Sequence, residues 1–96
     1  MSNFLEFRHL RYIVAVARTR NFTRAAKQLY LSQPSLSKQI RDVEDAIGFP
    51  IFERNPESLK ITRAGQLLVA YAQDALEARA EAIQEVRAVA LFRQES

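Results

Sequence analysis

The stretch Ser32–Arg41 reads Ser-Gln-Pro-Ser-Leu-Ser-Lys-Gln-Ile-Arg and gathers groups suited to recognition. Ser32 followed by Gln33 and Pro34 predicts a helix start. The serine hydroxyl accepts from an otherwise orphan N–H, and proline in the first turn lacks the N–H that would have no partner. Gln33, Ser35 and Ser37 then offer short uncharged donors and acceptors, and Lys38 and Arg41 add positive charge. The dipole and free N–H groups of such a helix end favour phosphate. A glutamine amide pairs with an adenine edge. Together these point to a nucleic-acid groove; the plain alternative is a capped surface helix.

Other chemistry has little to work with. There is no Cys, so a disulfide framework and a thiolate metal site are excluded. The one His, His9, sits in an apolar-periodic segment and reads as a structural residue. Acid–base, thiol and metal catalysis need clustered His, Cys or carboxylate groups, and Gly48 and Gly65 alone build no phosphate-cradling loop. The expectation is therefore no enzyme, no cofactor and no metal. The longest apolar run, Tyr12 to Ala17, is too short to span a bilayer, and no leader with a cleavage site is visible. No membrane is expected, and the cytoplasm is the simplest compartment.

The net charge of +3 hides an uneven distribution. Arg8, Arg11, Arg18, Arg20, Arg24, Lys27, Lys38 and Arg41 occur with no acid from Arg8 to Arg41, whereas from Arg63 onward four Arg face five acids. A basic front on a near-neutral back is the footprint of a nucleic-acid binder.

The elements that must carry this front follow from periodicity. Over residues 4–18, Phe4, Phe7, Leu10, Ile13, Val14 and Ala17 mark a packing helix. A break at Arg20-Asn21 precedes a short helix, about Phe22 to Tyr30, capped by Asn21 or Thr23, with the small Ala25 and Ala26 allowing close helix approach. The turn Tyr30-Leu31 contains no Gly, although such turns often carry one. A third helix, Ser32 to Ile47, places Leu36, Ile40, Val43 and Ile47 on a core face and stops at Gly48. Its later acids Asp42, Glu44 and Asp45 would repel DNA, so only its first two turns should face a groove. Two β-capable runs, 49–54 and 59–61, flank a turn with Asn55 and Pro56 and predict a small hairpin. Thr62 then caps a helix from Arg63 to about Phe92, roughly 45 Å long. Its seam runs through Val69, Ala72, Leu76, Arg79, Ile83, Val86 and Ala90. A head of about 60 residues is too small to cover that seam, so a second copy of the helix is the expected partner.

The residues LRYIVAVA, FTRAAKQLYLSQPSLSKQIRDVEDAIG, IFER and LKITRAG, in that order and spacing, resemble the N-terminal DNA-binding region of LysR-type transcriptional regulators over residues 5 to 92. The resemblance implies a mainly α chain. A winged helix-turn-helix of three helices and a two-stranded wing occupies residues 5–62, with the helix-turn-helix near 22–41. A dimerising linker helix follows at 63–92. It implies sequence-specific binding of double-stranded DNA at an inverted-repeat operator, for regulation of bacterial transcription initiation. Relatives continue into a two-lobed effector domain, which is absent from these 96 residues and which higher oligomers would need.

Gln33, Pro34, Ser35, Ser37 and Lys38 match the family positions that face the major groove. Lys38 stands where Arg is common, replacing a forked contact by a single-point one. Arg54 matches a basic position at the base of the wing. Glu57 stands where many relatives carry a basic wing-tip residue, and Lys60 partly replaces it by holding a phosphate. Thr23, Ser32 and Arg41 complete the expected DNA-binding set, and Val69, Ala72, Leu76, Ile83 and Val86 are the expected dimer contacts. A pure interaction module would explain residues 63–92 but not the acid-free basic front.

Overall fold

The computed structural model describes residues 4–95, with the element order α1 (Phe7–Thr19), α2 (Phe22–Gln28), α3 (Gln33–Ile47), β1 (Phe52–Arg54), β2 (Leu59–Ile61) and α4 (Arg63–Glu95). It is a winged helix-turn-helix with a long C-terminal helix. Among the described residues no helix is long and apolar enough to cross a membrane.

Each boundary has a local cause. The backbone N–H of Glu6 donates to Nδ1 of buried His9 at 2.9 Å, closing the start of α1. Its end is Arg20, at φ 53, whose N–H reaches the Val16 carbonyl at 2.8 Å. Asn21, rather than Thr23, caps α2: the Arg24 N–H donates to its side-chain oxygen at 2.8 Å. The glycine-free turn is made by Tyr30 at φ 59, with its side chain 96% exposed. A left-handed tyrosine costs about 1–2 kcal/mol, offset by the hydrogen bond from the Leu31 N–H to the Ala26 carbonyl at 2.9 Å. Gly48, at φ 87, ends α3 with no such strain.

Two apolar clusters hold the molecule together. In the larger, Ile13 and Val16 of α1 meet Ala25 and Ala26 of α2, Leu36, Ile40 and Val43 of α3, and Ile51, Phe52 and Leu59 of the hairpin. In the smaller, Leu10 and Val14 of α1 close over Ala72 of α4, with Leu5, Ala75 and Leu76 packed around them. Ile47, expected in the core, is 42% exposed. It lines an apolar surface groove of about 360 Å³ with Phe49, Leu67 and Tyr71.

The second cluster changes the reading of the linker seam. Ala72 is fully buried by its own α1 and has no surface left for a second chain, while Val69 and Leu76 pack on the head as well. Arg79 continues the contact, its guanidinium 5.4 Å from the centre of the Phe7 ring. Past that point Val86, Val89, Leu91 and Phe92 stand exposed on a helix that carries the molecule to 59 Å in its longest dimension.

Candidate nucleic-acid interface

The N-terminal turn of α3 is built as a rigid polar platform. Ser32 caps it twice: its Oγ accepts from the Ser35 N–H at 3.2 Å, and its hydroxyl donates to Ser35 Oγ at 2.8 Å. Pro34 occupies the first turn, and Ser32, Pro34 and Ser35 are exposed. Thr23, Lys38, Arg41 and Lys60 are exposed too.

Ser37 departs from the expectation that it faces a groove. It is 8% exposed and accepts a hydrogen bond from Gln33 Nε2 at 2.7 Å. Its position one residue after Leu36 and three before Ile40 turns it toward the core seam. It therefore holds the Gln33 amide nitrogen in place.

The acids of α3 are also not the simple repellents the charge pattern implied. Lys38 Nζ meets Asp42 at 2.9 Å in an exposed pair one turn apart. Such a pair contributes about 0.3–0.5 kcal/mol, so it restrains Lys38 only weakly. Glu44 is only 14% exposed at its side chain and turns inward. Its Oε2 accepts from the Ile51 and Phe52 N–H groups at 2.8 and 3.2 Å, and its Oε1 lies 3.9 Å from Arg54 Nη2.

Arg54 is the node where three elements meet. Its guanidinium sits 4.3 Å from the centre of the Phe22 ring at the start of α2, and Phe22 in turn packs edge-on against Phe52 at 6.1 Å. Burial holds the Arg54 pKa below its ordinary value; Glu44 opposes that shift and Arg41 adds to it. Its placement makes it a strut between wing and helix-turn-helix as much as a free cation. The sequence placed Phe22 on the apolar side of α2, where it packs, but gave Glu44 no structural role. The only signal for Glu44 was its position one residue after Val43 of the core seam, and its partners lie seven and eight residues away where the chain enters β1.

The wing pairs antiparallel, with Phe52 opposite Ile61, Glu53 opposite Lys60 and Arg54 opposite Leu59. Asn55 and Ser58 close the turn by mutual backbone hydrogen bonds at 2.8 and 3.3 Å, leaving Pro56 and Glu57 as its central residues. Glu57 thus stands at the exposed tip, and Lys60 has an acid across the ladder.

Comparison with known proteins agrees with this architecture. Residues 7–66 match the family described as "Bacterial regulatory helix-turn-helix protein, lysR family". The Hca operon transcriptional activator HcaR of Escherichia coli (strain K12) is 53% identical over 72 residues, covering 75% of this chain and 23% of HcaR. The HTH-type transcriptional regulator BudR of Klebsiella aerogenes is 44% identical over 86 residues, covering 90% of this chain and 60% of BudR. The chain thus spans less than two thirds of either relative. Among solved structures, the complex of the BenM DNA-binding domain with catB site 1 DNA superposes with a TM-score of 0.85 at 36% identity, covering 90% of this chain and 97% of that one. By family match, sequence identity and fold alike, the chain belongs to the LysR family of bacterial regulatory helix-turn-helix proteins.

Proposed function

We propose that this chain reads double-stranded DNA as a dimer at an inverted-repeat site, in the regulation of bacterial transcription initiation, with the first two turns of α3 in the major groove. The observation that carries the reading is the capped N-terminal end of α3. It presents Ser32, Pro34, Ser35, Gln33 and Lys38 on a face where no acid occurs from Arg8 to Arg41. The geometry supports phosphate contact at the free N–H groups and base contact at Gln33. A single such helix reads only a few base pairs, and two related by a two-fold axis read an inverted repeat. The exposed apolar side chains of α4 beyond the head support the second copy, because an isolated helical arm of that length is marginal without a partner.

Selection of bound duplexes from a random pool tests the reading and yields the half-site. On the selected site Gln33→Ala is expected to cost about 1–3 kcal/mol and to relax one base position. Equal losses on selected and random DNA would show that Gln33 reads no base.

The electrostatic part has its own readout. With about 4–8 phosphate contacts per dimer, log affinity should fall steeply with log salt. Arg41→Ala is expected to flatten that slope by roughly one unit per protomer. An unchanged slope would make Arg41 a purely structural neighbour of Arg54.

A further inference from the structure

We propose that Glu44 is a positioning residue for DNA binding: it fixes where the wing meets the duplex relative to the base-reading turn of α3. The proposal rests on the DNA-binding reading above. Glu44 lies eleven residues after Gln33, roughly 16 Å further along the helix axis, and its carboxylate turns away from solvent, so it is not itself a reader. What it touches is the root of the wing. The hairpin is anchored by Ile51, Phe52 and Leu59, but apolar contacts set its angle less sharply than directed hydrogen bonds do. The two N–H groups donated to Glu44 Oε2 are directional, and each becomes stronger for ending on a charge. Two residues on, on the same side of the strand, Arg54 reaches the other carboxylate oxygen and lies over Phe22. The wing is thus held at two points along β1, one to the recognition helix and one to the helix before it.

Two near-isosteric variants separate position from charge. Glu44→Gln keeps an acceptor oxygen at the same reach and loses the charge. Glu44→Asp keeps the charge on a stem one methylene shorter, which cannot span to both amides. Both are footprinted with hydroxyl radicals on the duplex selected by the unmodified protein, which should protect the half-site and a separate flank under the wing. Glu44→Asp is expected to lose the flank protection and about tenfold in affinity while keeping the same half-site choice; Glu44→Gln, whose oxygen still accepts from both amides but whose NH2 cannot pair with Arg54, is expected to keep the flank protection with a smaller loss of affinity. In the free protein, Glu44→Asp should speed hydrogen exchange at the Ile51 and Phe52 amides and leave the amides of α1 protected. Flank protection retained by Glu44→Asp, or lost equally in Glu44→Gln, overturns the proposal. So does a half-site without a wing flank in the unmodified protein, or loss of protection throughout α1 in Glu44→Asp, which would make Glu44 a support of the whole head. An unmodified protein that selects no duplex at all overturns the DNA reading itself.

Discussion

Gly65→Ala is expected to be among the most destabilising single substitutions in the head. Gly65 sits in the first turn of α4, its N–H donating to Thr62 Oγ1 at 2.9 Å. A Cβ there would run into the carbonyl oxygen of Ile51, with Ile51 Cγ2 and its carbonyl carbon each at 3.0 Å. That carbonyl has no room to yield. It accepts from the Thr62 N–H at 2.9 Å and belongs to a residue buried in the main core. The Thr62 hydroxyl, donating to the Pro50 carbonyl at 2.7 Å, locks the same corner. Alanine gains about 1 kcal/mol of helix propensity over glycine, but overpacking against backbone costs about 1–3 kcal/mol and occasionally more. The steric term wins, because neither clashing group is the far end of a flexible side chain. A net loss of about 1–2 kcal/mol would lower the melting temperature by roughly 4–16 °C for a domain of this size. An unchanged or higher midpoint, measured at fixed protein concentration, would mean that α4 lifts off the hairpin without cost and that this corner is not rigid.

The second large effect concerns assembly. Ile83→Glu with Val86→Glu should leave the head folded and separate the two chains. Both residues lie beyond the α1 contact that ends near Arg79, and Val86 is exposed in the single chain. Leu76, although part of the same seam, is unsuited to the test because it packs on the Leu10 and Val14 cluster and its loss would damage the head. Two carboxylates in an apolar contact are each left without a partner, which a dimer does not tolerate. Loss of the second reader removes an effective concentration worth about 10²–10⁴ in affinity for the full inverted repeat. The double variant is therefore expected to sediment as a folded monomer and to bind half-sites only. Sedimentation as a dimer with full-site binding intact would place the contact elsewhere on α4.

The helices were legible because their signals are local. Ser32 with Pro34, Gly48 and Thr62 mark starts and stops by hydrogen-bond chemistry that acts within a few residues, and the structure places caps at all three. Periodicity likewise exposes a face but not the surface that covers it. Val69, Ala72 and Leu76 repeat as Ile83 and Val86 do, yet Ala72 is covered by its own head and Val69 and Leu76 are partly so. Ile47 keeps the spacing of the α3 core face and still emerges at a groove, since the core ends before the helix does. The least legible feature was Glu44. A carboxylate that serves backbone N–H groups at the entry of a strand leaves no side-chain pattern to read. Tyr30 was opaque for a related reason: a left-handed turn is a property of backbone context, and nothing in a tyrosine advertises it.

The way α4 begins also bears on which duplexes a pair of these chains can accept. From Thr62 to Arg79 the helix is fastened to Pro50, Ile51, α1 and Phe7 in turn. Over that span the rod is tied to the reader at several points. In the proposed dimer the separation of the two recognition helices is then a fixed length of the protein, like the gap of a rigid caliper. Half-sites spaced to match are gripped without distortion. Half-sites spaced otherwise must be brought to the caliper by curving the DNA, at about 1–6 kcal/mol for a bend of 40–90° over 20–30 base pairs. The intervening sequence, which no side chain touches, would then influence affinity through its stiffness.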